Sequence, residues 1–248
     1  MLAAGTAAVR ANTDAEVKYV INLGGTIIAN ATFAFAEDGA AYTLKLNANV
    51  TGLAQLVASG TVKANSAGSV TGSGLLAQDF DIVTRASGDT QSVKVQYAGG
   101  NVSAFIVDPP IVNNIDRVPV ERKQLIGVTD MFSAFMLKAD GLSPALCSGK
   151  AQIFTGVERF DLKFSYVKDD VATSQRTGYQ GPVVLCKIQY KPISGHYTTS
   201  EFTNSLAQGD RILVWFAPLS ETGWYVPYRV LLTTSQGDLS LVLTEMSE

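Results

Sequence analysis

The chain has 248 residues, with 22 acidic against 19 basic side chains, a formal net charge of −3, two cysteines and one histidine. That balance leaves no basic footprint for a nucleic-acid partner, and the histidine and cysteine counts exclude a His- or Cys-rich zinc site; no carboxylate loop spacing suggests another metal or any cofactor. Charged residues are 17% of the chain, below the roughly 25% of average soluble proteins, which suits an exported β protein better than a cytosolic helical one.

Residues 1 to 11 are small and apolar and end in Val9-Arg10-Ala11, a sequence that fits the small-residue rule at a signal-peptidase site. Residues 1–14 therefore read as a residual signal-peptide tail or a flexible terminus, ahead of a single β-rich domain over 15–248. No other apolar run approaches the ~20 residues that span a bilayer, so no transmembrane segment is predicted.

Period-2 alternation then dominates, which predicts strands with one buried face. Val17, Tyr19, Ile21 and Leu23 share a face up to Gly24-Gly25; Ile27, Ala29, Ala31, Phe33 and Phe35 follow, closed by Glu37-Asp38-Gly39. Tyr42, Leu44, Leu46, Ala48 and Val50 alternate with polar residues, completing an antiparallel meander. From Thr51 to Gly60, Leu53, Leu56 and Val57 fit a helical turn while Gly52 weakens it, and a turn and a strand compete. Strands are predicted at Thr61 to Ala64, Phe80 to Arg85, Val93 to Tyr97 and, across Gly99-Gly100, Val102 to Val107. Asp108-Pro109-Pro110 stops the sheet, because proline cannot donate to a ladder.

After a polar connection, Thr129 and Asp130 offer N-cap chemistry to a two-turn helix over Met131 to Lys138, with Phe132, Phe135 and Met136 on one face. Strands return at Lys150 to Thr155, Phe160 to Tyr166, Val184 to Tyr190, Ile212 to Phe216, Trp224 to Leu232 and Leu239 to Leu243. About a dozen strands with one or two short helices predict an all-β, mainly antiparallel fold: a large twisted, spiral or unclosed-barrel sheet.

The chemistry-bearing residues are few. Cys147 and Cys186 are an even pair that an exported chain would oxidise to a disulfide, the alternative being two buried thiols. His196 follows Pro192-Ile193-Ser194-Gly195 in a turn, and no Gly-x-Ser-x-Gly elbow accompanies it, so no catalytic residue is assigned. Arg159 and Asp161 share a strand face, where they form a structural ion pair or hold a polar ligand group. Phe132, Phe135, Trp215, Trp224 and Tyr228 are core aromatics or the walls of an acyl groove.

The run Arg117-Val118-Pro119-Val120, Gly127-Val128-Thr129-Asp130, Cys147, Ile153 through Leu162, and Cys186 followed by Tyr190-Lys191-Pro192-Ile193-Ser194-Gly195-His196 resembles a proteobacterial envelope family, the DUF3108-type domain of unknown function. Ala41-Tyr42-Thr43-Leu44, Gly52-Leu53-Ala54 and Trp224 through Val230 extend the resemblance over most of the chain. It departs from the family pattern at Thr155-Gly156, where an Asp-Gly pair is usual. The resemblance implies an exported β-rich protein with Arg159, Asp161, Pro192, Gly195 and His196 as motif residues. More distantly, such domains look like periplasmic β-spiral or unclosed-barrel carriers of lipoproteins and lipids.

The resulting expectation is a periplasmic, non-enzymatic protein that supports the cell envelope by binding a lipid, a glycolipid or an envelope partner protein. The alternatives are an interaction scaffold without a small ligand and a hydrolase of envelope glycans or esters.

Overall fold

A computed structural model describes residues 13–51, 59–209, 211–220, 222–234 and 237–248. Residues 1–12 and the ambiguous stretch 52–58 lie outside the described residues, and the first strand starts at Thr13, two residues ahead of the boundary drawn from sequence.

The strands are β1 (Thr13–Leu23), β2 (Thr26–Glu37), β3 (Ala41–Val50), β4 (Gly60–Thr71), β5 (Gly74–Ala86), β6 (Asp89–Ala98) and β7 (Asn101–Asp108), then β8 (Leu137–Lys138), β9 (Lys150–Phe154), β10 (Arg159–Ala172), β11 (Gly181–Ser194), β12 (Ile212–Leu219), β13 (Trp224–Thr234) and β14 (Gly237–Ser247). They form one sheet in the order β7-β6-β5-β4-β3-β2-β1-β14-β13-β12-β11-β10-β9, with β8 attached to β13 off that path. Two antiparallel meanders thus run outward from a central β1–β14 pair that joins the two ends of the domain. The tight hairpins depend on glycine: Gly24 and Gly25 (φ +56° and +86°) and Gly99 and Gly100 (φ +58° and +78°) take the left-handed conformations a two-residue turn needs.

The path ends in two unjoined edges, β7 and β9, and the sheet is not closed. The edges overlap instead. Ile153 and Phe154 are successive residues of β9, so their side chains leave opposite faces, yet both are fully buried. Ile153 belongs to the core that holds Cys147, Cys186 and Phe216, whereas Phe154 belongs to the one that holds Phe80, Val93 and Val95 of β5 and β6. Tyr97 Oη donates to the Phe154 carbonyl at 2.8 Å, and the Phe105 ring of β7 meets Phe154 edge-on at 5.1 Å. The β9 edge is therefore tucked inside the flap made by β5–β7, as in a rolled sheet. Residues 126–129 stitch the seam: Val128 N–H donates to Gly100 O, Thr129 N–H to Gln152 O, and Phe154 N–H to Thr129 O.

The predicted helix at 131–138 does not form. Asp130 Oδ1 accepts from the amides of Phe132 and Ser133, as an N-cap would, but only a single 3-10 turn follows at Ser133–Phe135. Met136 is already extended, and Leu137–Lys138 pairs with Trp224 and Tyr225. Strand pairing to β13 outcompetes a two-turn helix, whose nucleation cost so few residues do not recover. The α-helix among the described residues is α1 (Glu201–Gln208), capped by Ser200 Oγ accepting from Thr203 N–H.

Candidate functional site

The turn 130–136 is a plug in the hollow of the rolled sheet, held by a buried polar network. Asp130 is fully buried, and its Oδ2 accepts from Ser133 Oγ (2.6 Å) and from Ser66 Oγ on β4 (2.8 Å). Tyr42 Oη of β3 lies 2.7 Å from Ser133 Oγ and 3.1 Å from Ser66 Oγ. Burial raises the Asp130 carboxyl above the usual carboxylate range although four hydrogen bonds pull it down, and burial with the nearby Asp130 pushes Tyr42 up to about 12. Sequence reading saw Asp130 only as a cap. Nothing in the pattern pointed to its partners, since Ser66 and Tyr42 sit on strands whose alternation is blind to a hydroxyl buried by a loop arriving from elsewhere.

Above the network the plug is apolar. Phe132 packs edge-on against Phe33 (6.1 Å) and Phe80 (5.7 Å), tying it to both β2 and the β5 flap. Between the plug and the sheet lies a groove of about 240 Å³. Its floor includes Phe33 and Leu46 from one meander and Ile212, Val230 and Leu241 from the other, and Phe132, Phe135 and Met136 form its roof. Tyr19 is the one lining side chain with a hydroxyl, and that hydroxyl is already spent on the Pro227 carbonyl at 2.9 Å. No charged side chain lines the groove. It can accept an apolar segment and offers a polar one nothing. A second, larger cleft of about 520 Å³ has Ser133, Ala134 and Met136 of the same plug in its wall, so Met136 is shared by both cavities.

The motif residues come together elsewhere, as a clasp on the strap 109–128 that crosses from β7 to the plug. Arg159 is buried, ion-pairs with Asp161 and donates from Nε to the Gln124 carbonyl at 3.0 Å. Gln124 Oε1 in turn accepts from Ser194 Oγ (2.7 Å) and the Glu121 amide (2.9 Å). Arg117 Nε and Nη2 donate to the carbonyls of Gly195 (2.7 Å) and Val157 (2.8 Å), while the Gly195 amide donates to the Val118 carbonyl at 2.7 Å. Gly195 is required here: its φ is +84°, and a Cβ would stand 2.0 Å from the Val157 carbonyl oxygen. Pro192 sits opposite Phe160 at a register shift, where the missing N–H does no harm. His196 contributes its carbonyl to Val118 N–H, and its Nδ1 is buried without a partner, so it lacks the bond to a carboxylate that orients a triad histidine. Burial raises the neighbouring Glu158, against the pull of His196 and Arg117.

Cys147 and Cys186 form a disulfide inside the second meander's core, pinning the 3-10 turn Pro144–Cys147 to β11. Of the five aromatics singled out from sequence, Phe132 and Phe135 line the groove. Trp224 and Tyr228 are core, with Trp224 edge-on to Phe35. Trp215 is half-buried and donates its indole N–H to Asp170. Among the described residues no group of three or more His, Cys, Asp and Glu is placed to hold a metal, and no helix is long and apolar enough to cross a membrane.

The fold has a solved counterpart, a β-barrel-like protein of domain of unknown function DUF1849 from Brucella abortus. The two share 11% sequence identity with a TM-score of 0.53 over 94% of this chain and 97% of that one, a likeness of fold alone. No curated protein matches the sequence. The model of the protein family of unknown function DUF3108 matches residues 17–244, from the first strand of the rolled sheet to the last, and takes in the plug, the clasp and both cysteines. The chain belongs to the DUF3108 family.

Proposed function

We propose that this protein is an exported binding protein of the cell envelope that works without catalysis, holding an acyl chain of a lipid or glycolipid between its plug and its rolled sheet. The observation that carries this reading is the groove, in which apolar side chains from both meanders and the plug converge with no charged group. Exposed apolar surface of this kind is costly in water and is relieved by an apolar ligand. Its volume lies below the roughly 300–1,000 Å³ of sites for drug-sized ligands, which suits a chain segment rather than a whole lipid.

The test is native mass spectrometry, with organic extraction, of protein purified without detergent. The reading requires an acyl-bearing molecule at near one per protein. Lipid-free protein that also fails to bind added fatty acid would sink it.

A protein-docking reading has one observation in its favour. The edge strand β7 carries exposed Phe105 (44%) and Ile106 (66%), and an uncovered apolar edge can take a partner strand. A specific envelope protein in a pull-down, lost on substitution of Ile106→Lys and retained in groove variants, would favour docking over carriage.

A further inference from the structure

The larger cleft beside the plug differs from the groove in chemistry. Its volume, about 520 Å³, falls inside the range of small-molecule sites. Lys138 and Lys150 line it, and no aspartate or glutamate does, although the chain as a whole has more acids than bases. Neither lysine has a carboxylate within ion-pair distance among the described residues; Lys138 Nζ instead lies 4.9 Å over the Trp224 ring. The wall also contributes the Gln152 amide and Thr129, whose Oγ1 is buried with no hydrogen-bond partner, while the Ser148 hydroxyl is already given to the Ala145 carbonyl at 2.7 Å. A buried hydroxyl without a partner costs free energy that a ligand oxygen would relieve. Two cations without a carboxylate partner, a side-chain amide and a hydroxyl lacking a partner in one concavity are complementary to an oxyanion.

We propose that this cleft is a second binding site, for an oxyanion group, a phosphate or a carboxylate, carried by a small polar ligand or by the head of an amphiphile whose chain lies in the groove across Met136. The site rests on its own residues, since it shares with the groove only the Met136 wall.

The experiment is calorimetric titration of the full chain with four probes: inorganic phosphate, decyl phosphate, decanol and decyltrimethylammonium. The cleft predicts that decyl phosphate binds at least about tenfold more tightly than decyltrimethylammonium. Lys150→Gln alone, and the pair Lys138→Gln with Lys150→Gln, should erase that preference while leaving decanol unchanged. Lys150 is exposed and apart from the aromatic stack, so its single variant reports on the cleft even where loss of Lys138 disturbs Trp224. Phosphate binding by itself, lost in the lysine variants, identifies a free oxyanion as the ligand; selectivity confined to decyl phosphate identifies a headgroup. Decanol that does not bind, beside lysine-dependent phosphate binding, refutes the groove and leaves the cleft standing. Equal affinity for the anionic and cationic probes, or an anion preference that survives both variants, overturns the proposal.

Discussion

Replacing Asp130 should loosen the plug, and the cost can be worked from its four hydrogen bonds. In Asp130→Ala the hydroxyls of Ser66, Ser133 and Tyr42 still have one another at 2.7 to 3.1 Å, so they re-pair at little cost. The amides of Phe132 and Ser133, bonded to Oδ1 at 2.8 and 3.0 Å, have no other acceptor among the described residues and are stranded. At about 1–3 kcal/mol for each buried unsatisfied donor the loss is about 4 kcal/mol. For a chain of this length that is a fall in Tm of roughly 8–16 °C. Asp130→Asn keeps one oxygen for the two amides and offers N–H donors to hydroxyls that can turn round, so about 1 kcal/mol is expected. The pH dependence has a definite sign. The folded carboxyl titrates above its unfolded value, so its stabilising effect is complete below about pH 4 and fades as pH rises through the folded value. Wild type should lose stability relative to Asp130→Asn, which cannot titrate, as pH climbs toward neutrality. Urea unfolding of the three proteins from pH 4 to 8 measures this. An alanine variant within 1 kcal/mol of wild type, or a wild-type advantage that grows with pH, refutes the account of the plug.

Other consequences are independent of the plug. Protein refolded with Cys147 and Cys186 reduced should be less stable by about 4 kcal/mol, from release of a loop with sequence separation 39, as read by thermal melting against the oxidised form. Gly195→Ala should cost more than 2 kcal/mol, because it meets both a left-handed φ and the Val157 carbonyl, and should expose the Val118 amide to hydrogen exchange ahead of the sheet. Arg159→Lys should lose most of what Arg159→Ala loses, about 3 kcal/mol, since an ammonium cannot serve the carbonyls of Gln124 and Phe160 and the Asp161 carboxylate together; a neutral lysine variant in denaturant melts would show that the clasp is not held by the guanidinium fork.

Much of this architecture is written in period-2 alternation. The wet and dry faces of β3, the stop at Asp108-Pro109 and the glycine hairpins need only local chemistry to be read. The cysteine pairing was within reach from the even cysteine count, whereas Arg159, Asp161 and Gly195 were marked through the family resemblance and their hold on the strap through Gln124 was not legible. The shared apolar face of Phe132, Phe135 and Met136 was legible from their spacing, but neither the conformation of the segment nor its place in the hollow was. Its backbone is set by Trp224 and Tyr225, nearly ninety residues away in sequence. The same non-locality hid the polar network, where four side chains from β3, β4 and the plug meet in space with no spacing to announce them. It hid the overlap of β9 under β5–β7 as well, for which the sign is a strand with both faces apolar at Ile153-Phe154. It also hid the cleft, whose lysines stand on strands β8 and β9 at opposite ends of the loop that holds Cys147.

The methionines provide reporters for the proposed acyl chain between the plug and the sheet. Met131 and Met136 line the groove, whereas Met246, near the end of β14, does not. With methionine methyls isotopically labelled and dodecanoate added, intermolecular NOEs from the acyl chain to the Met131 and Met136 methyls, and none to Met246, are predicted. NOEs to Met246 alone, or to no methionine at saturating dodecanoate, would contradict the account.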